Sequence, residues 1–131
     1  MTNSELIKIA KSTLQSVLDN PYDRKESTYV AAALESASGK VYVGVNIDWW
    51  HSTCAEQTAL GSAWAQGERD FKKIVAVTKN AQGKIDVTSP CGICRQMFAI
   101  HTPDIKVIIK SNGKIVTRKV KELLPDSYVE V

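Results

Sequence analysis

The sequence predicts an α/β fold of three layers, with helices on both faces of a central sheet. Three observations carry that expectation. Helical and strand-like segments alternate in the order α-β-β-α-β-α-β-β-α, which places strands under helices rather than against one another in a sandwich. The 131 residues, 44% hydrophobic and 24% charged, suit one compact domain. No repeat and no long linker divides the chain, so residues 1–131 are read as a single domain with five strands in its sheet.

Each element has a local cause. Thr2-Asn3-Ser4-Glu5 is a capping box, and Leu6, Ile7, Ala10, Leu14, Val17 and Leu18 then recur at helical steps until Asn20-Pro21 ends the stripe. Residues 28–34 and 40–47 are β-branched, aromatic and small, and Glu35-Ser36-Ala37-Ser38-Gly39 between them has turn chemistry, which predicts a hairpin. Helix formers fill 55–66 and stop at Gly67. A strand is expected over 73–78, a helix over 92–100, two strands over 105–110 and 114–117 around Ser111-Asn112-Gly113, and a last helical turn over 120–124.

Composition excludes several classes. No stretch reaches the roughly 18 apolar residues of a membrane span. Three cysteines are an odd number, and no cationic leader precedes an apolar run, so the expectation is reduced thiols in a soluble cytoplasmic protein. A net charge of +3 is too mild to indicate nucleic acid. The lysines and arginine from Lys106 to Lys121 alternate with Val107, Ile109, Ile115 and Val116 and are read as the solvated faces of strands.

The chemistry gathers in the cysteines. Cys91-Gly92-Ile93-Cys94 at a helix start can aim two sulfurs at one ion at about 2.3 Å. If Cys54 supplies a third, one vertex of a tetrahedral zinc stays open, the arrangement of hydrolytic sites. Glu56 then stands in the first helical turn beside the open vertex, as a candidate proton shuttle. Arg95 and two helix N-termini would compensate the thiolate charge.

Cys54-Ala55-Glu56 and Pro90-Cys91-Gly92-Ile93-Cys94-Arg95-Gln96 closely resemble the zinc-site motifs of the cytidine deaminase superfamily. The resemblance extends through Gly44-Val45-Asn46 and Glu122-Leu123-Leu124-Pro125, and is nearest to the homotetrameric cytidine deaminases and blasticidin-S deaminases. It implies a cytidine deaminase-like fold with a mixed sheet, Zn2+ as cofactor, and hydrolytic exchange of a nucleoside's C4 amine for a carbonyl in pyrimidine salvage. Asn46 and Asp48 are then expected to hold the sugar, the Ala55 amide a ring carbonyl, and Tyr128 to close the pocket, in a homotetramer whose neighbours complete each site. Gln57 stands where many all-cysteine members carry Arg. Thr28 replaces a ring-packing Phe, and the Asn46-to-Cys54 connection is short, both as in blasticidin-S deaminases, so a pocket tolerant of cytidines substituted at N4 or C5 is expected.

Other readings compete. His51, three residues before Cys54, would close a structural Cys3His zinc site without catalysis. The CxxC pair alone would suit thioredoxin-like redox chemistry, which leaves Cys54 and Glu56 without a task. Deamination of a polynucleotide is disfavoured by the short chain. Trp49 and Trp50 are read as subunit contact or core, His51 and His101 as loop residues, Gln96 as packing, and Asp23 and Glu26 as solvated loop charges.

Overall fold

A computed structural model describes residues 1–22 and 28–128. Asp23 and Glu26 lie outside the described residues. The first helix, α1 (Asn3–Leu18), begins as its sequence dictates: Thr2 Oγ1 accepts from the Glu5 amide at 3.1 Å, and the Glu5 carboxylate accepts from the Thr2 amide at 2.7 Å. Its buried face is Leu6, Ala10 and Leu14.

The sheet has six strands where the sequence suggested five: β1 (Val30–Ser36), β2 (Val41–Val45), β3 (Phe71–Lys79), β4 (Ile85–Thr88), β5 (Lys106–Ser111) and β6 (Lys114–Lys119). The additional strand is β4. Its four residues alternate apolar and polar, a run too short for period two to stand out, and the turn before it depends on Asn80, whose side-chain oxygen accepts from the Gln82 and Lys84 amides.

The strand order is β2-β1-β3-β5-β6, with β4 also paired to β3. Antiparallel β1 occupies one edge of β3 along its length. The other edge is divided: Lys73, Ile74 and Val75 pair in parallel with β5, and Ala76 to Lys79 pair antiparallel with β4. A chain leaving β4 at Thr88 therefore meets β5 ahead of it and has to turn out of the sheet, which it does at Ser89-Pro90.

Helices cover both faces, so the three-layer α/β/α expectation holds. On one face α1 packs on Ala31, Ala33, Val75, Val77 and Ile108. On the other, α2 (Ala55–Ala65), α3 (Gly92–His101) and the short α4 (Val120–Leu123) enclose Leu34, Ile74, Phe98, Ile105 and Val107. Among the described residues, no helix is long and apolar enough to cross a membrane.

Candidate metal centre and cavity

Two helices begin at the same place. Cys54 is the N-cap of α2 and Cys91 the N-cap of α3, each in extended backbone. The Gln57 side chain accepts from the Cys54 amide at 2.8 Å and so closes the first turn of α2.

α2 lies unusually near the sheet because its inner face is small. Ala55, Ala59 and Ala63 are fully buried, and opposite them β2 carries Gly44. A methyl group at Gly44 would lie 2.5 Å from the Ala55 carbonyl oxygen and closer still to Thr58 Oγ1 and Ala59 N. Thr58 Oγ1 donates to the Val45 carbonyl at 2.9 Å and fixes the helix along the strand. The start of α3 is delivered by the out-of-plane turn after β4.

The convergence brings three sulfurs together. Cys54 Sγ and Cys91 Sγ are 3.5 Å apart, and with Cys94 Sγ all lie within 4.8 Å of one another. Tetrahedral ligands at about 2.3 Å from zinc sit about 3.8 Å apart, so the spacing fits one zinc ion. Cys91 is exposed, Cys54 half-buried and Cys94, one turn into α3, fully buried. His51 is not in this group; its ring stands edge-on to Trp49 at 5.0 Å on an exposed loop. The closed Cys3His arrangement is therefore not formed.

Electrostatics agrees with a cation at this point. Burial, then contact with Cys91, pushes the Cys54 thiol above its ordinary pKa. Burial, followed by the charges of Glu56 and the neighbouring sulfurs, pushes Cys94 up much further. Such thiols resist ionising side by side, and a dication among them removes the conflict. The amide ends of α2 and α3 add partial positive charge. Glu56, next to the cluster, is only 5% exposed, and burial raises its carboxyl above the ordinary value.

A cavity of about 230 Å3 opens beside the cluster, between Tyr29 and Asn46 on one side and Ser52 and Thr53 on the other, with Glu56 and Cys91 in its wall. Of the residues singled out from sequence, Cys54, Ala55, Glu56, Cys91 and Asn46 line it. Asn46 Oδ1 accepts from the Tyr29 and Val30 amides at 2.8 Å each, leaving its amide nitrogen without a partner among the described residues. Thr28 is outside the lining; its hydroxyl donates to the Asn46 carbonyl at 2.9 Å and braces that residue from behind.

Three others stand apart. Asp48 is exposed and accepts from Ser52 Oγ at 3.3 Å. Arg95 donates to the Pro90 and Leu123 carbonyls, both at 2.9 Å, so its hydrogen bonds hold the loop before α3 against α4. Tyr128 is exposed, and its carbonyl accepts from Gln96 Nε2, which gives Gln96 a tether to the C-terminal segment. A larger cavity of about 490 Å3 lies by α4, among Lys106, Lys119 and Lys121, and holds none of the chemistry above.

Sequence reasoning missed Tyr29, Ser52, Thr53 and the capping role of Gln57. Only Gln57 carried a readable signal, three residues after an N-cap. The others depend on how two hairpins meet.

Residues 3–116 match the family described as the cytidine and deoxycytidylate deaminase zinc-binding region. The blasticidin-S deaminase of Bacillus cereus is 34% identical over 131 residues, covering 95% of this chain and 90% of that protein. The cytidine deaminase of Halalkalibacterium halodurans is 40% identical over 113 residues, 82% of this chain and 80% of that protein. The crystal structure of cytidine deaminase from Burkholderia pseudomallei matches with a TM-score of 0.76 and 32% identity, over 98% of this chain and 100% of that one.

Proposed function

The chain belongs to the cytidine and deoxycytidylate deaminase family of zinc-dependent hydrolases, and on that footing we propose that it exchanges the C4 amine of cytidine-type nucleosides for a carbonyl, consuming water and releasing ammonia. One observation carries the proposal: three sulfurs able to share an ion stand beside a single buried carboxyl in the wall of a small cavity.

Cys54, Cys91 and Cys94 hold zinc, which when bound supplies the Lewis acidity that makes water nucleophilic near neutral pH. Glu56 takes one proton from the attacking water and passes it to ring N3, then takes the second from the new C4 hydroxyl and delivers it to the departing amine as the carbonyl forms and the C–N bond breaks. A carboxyl raised by burial suits a group that must both accept and give a proton. The Ala55 amide, in the first turn of α2, donates to the ring carbonyl, and the amide nitrogen of Asn46 donates to the sugar. The helix starts offset the thiolate charge, and the charge of Arg95, the residue after Cys94, adds to them. Asp48, outside the lining, reaches only the outermost part of a bound nucleoside.

A homotetramer belongs to the same proposal. Ile93 and Ile100 lie exposed on the outer side of α3, two turns apart, and suit a contact with a second copy. Exposed Tyr128 then closes the pocket of a neighbour. A cytoplasmic place in pyrimidine salvage follows from the nucleoside chemistry.

Action on blasticidin S is the second reading, favoured by the match to a blasticidin-S deaminase along 95% of the chain. Zinc determination together with an ultraviolet deamination screen over cytidine, deoxycytidine, N4-substituted cytidines and blasticidin S tests both, with Glu56→Gln as control. Turnover of cytidines supports the first reading and turnover of the antibiotic alone the second. Silence on every compound with zinc bound would overturn both.

A further inference from the structure

We propose that the cavity between β5, β6 and α4 binds an organic polyphosphate with a flat apolar body, the class of the nucleoside di- and triphosphates, at a site separate from the metal centre. Its volume is about 490 Å3, inside the roughly 300–1,000 Å3 of small-molecule sites. It shares no lining residue with the cavity beside the sulfurs. Ala99 in its wall lies eight residues along α3 from Cys91, about 12 Å of helical rise, so a ligand here leaves the sulfurs open to substrate.

The strand register builds the charge. Lys106 and Lys119 are direct partners across the antiparallel β5–β6 pair, which sets their β-carbons about 5 Å apart on one face of the sheet. Lys121, in α4, is the third cation of the wall. Like charges placed opposite one another repel, and none of these lysines enters an ion pair among the described residues. The hairpin cannot supply a counter-charge, because the run 106–121 holds six cationic residues and no acidic one. Asp104 shares the wall but stands beyond ion-pair distance, and Glu122 turns a carboxylate oxygen to the Lys119 amide at 2.9 Å.

The wall also selects the body of the ligand. A single carboxylate or a fatty acid neutralises one lysine and leaves the others facing each other, so two or more negative charges are needed. Between the lysines the wall is apolar, formed by Ala99, Val120 and Leu124. A flat ring laid on them takes apolar surface out of water, which an inorganic phosphate leaves wet.

Isothermal titration calorimetry of the zinc-loaded protein compares adenosine triphosphate, inorganic tripolyphosphate and adenosine; a purine is chosen so that the probe carries no cytosine. The nucleotide is expected to bind about fivefold or more tighter than tripolyphosphate, and adenosine not measurably. Lys119→Gln should weaken the nucleotide by about three- to fivefold and the Lys106→Gln/Lys119→Gln double variant by about tenfold or more, as should raised salt. Since these changes remove a repulsion, the ligand-free variants should keep their zinc and unfold at the temperature of the unaltered protein or above it. The proposal is overturned by an absence of saturable nucleotide binding below about 1 mM, or by tripolyphosphate binding as tightly as the nucleotide. Undiminished binding to the double variant would place the nucleotide at the metal cavity and also overturn it. So would a lower unfolding temperature of the ligand-free double variant, which would give the lysines a structural task instead.

Discussion

The sulfurs of Cys54 and Cys91 stand 3.5 Å apart across 37 positions of sequence because each residue caps a helix and the two helices start at one point. The centre is therefore a property of helix placement, and its sensitivity to substitution follows from what sets that placement.

Cys94→Ala removes the fully buried sulfur and leaves two ligands. Zinc affinity should fall by more than about 100-fold, the upper end of what changes behind the ligands cost. Metal analysis of the purified variant against competing chelator reads this, and retention of stoichiometric zinc would contradict the three-sulfur assignment.

His51→Ala should keep its zinc in full. The imidazole packs on Trp49 rather than with the sulfurs. A marked loss of metal from this variant would revive a closed four-ligand site.

Glu56→Gln preserves the shape of the buried side chain while removing the proton carrier. Zinc content should be unchanged and kcat lower by about 10²- to 10⁴-fold. Steady-state kinetics on the metal-loaded variant checks this, and a change under tenfold would exclude the carboxyl as shuttle.

Gly44→Ala forces a methyl group into the backbone of α2. Because Ala55 and Ala59 cannot give way as a flexible side chain would, the helix has to lift, at a cost of about 1–3 kcal/mol. Urea unfolding measures the loss. Zinc affinity should fall with it, since Cys54 travels with the helix.

Asp86 ties β4 to Lys110 of β5. Its hydrogen bond with Lys110, followed by the Val87 amide, holds the carboxyl below its ordinary value of 3.8. Folding thus favours the charged form, so the stabilisation is present above that ordinary value and is lost as pH falls through the lower folded one. Asp86→Asn should cost less than about 1 kcal/mol at neutral pH, because solvent screens a partly exposed pair. In urea titrations the deficit should shrink as the solution is acidified below the ordinary value; a constant deficit would mean the ion pair is not its source.

The legible parts of the fold were those with local causes. Thr2 and Glu5 announce α1, Gly67 follows α2, and CxxC with Cys54 and Glu56 marks the metal centre. What sequence could not convey depended on tertiary neighbours. Thr28 faces the back of Asn46 instead of the cavity because β1 and β2 meet there. Arg95 spends its hydrogen bonds on carbonyls because α4 folds back over α3. Asp48 sits on the rim because the Ile47–Thr53 bridge turns the chain outward. The fourth strand escaped notice because four residues of alternation are too few to read.

The divided edge of β3 also sets where the chain tolerates a change in length. An extra residue at the tip of the β3–β4 connection, near Gln82, is absorbed by an exposed turn. A single residue inserted between Thr88 and Cys91 has nowhere to be absorbed, because β5 bars the way along the sheet and the start of α3 would be displaced with it. Natural length variation in proteins built this way should therefore collect at that tip and be missing from the three-residue step into the CxxC turn.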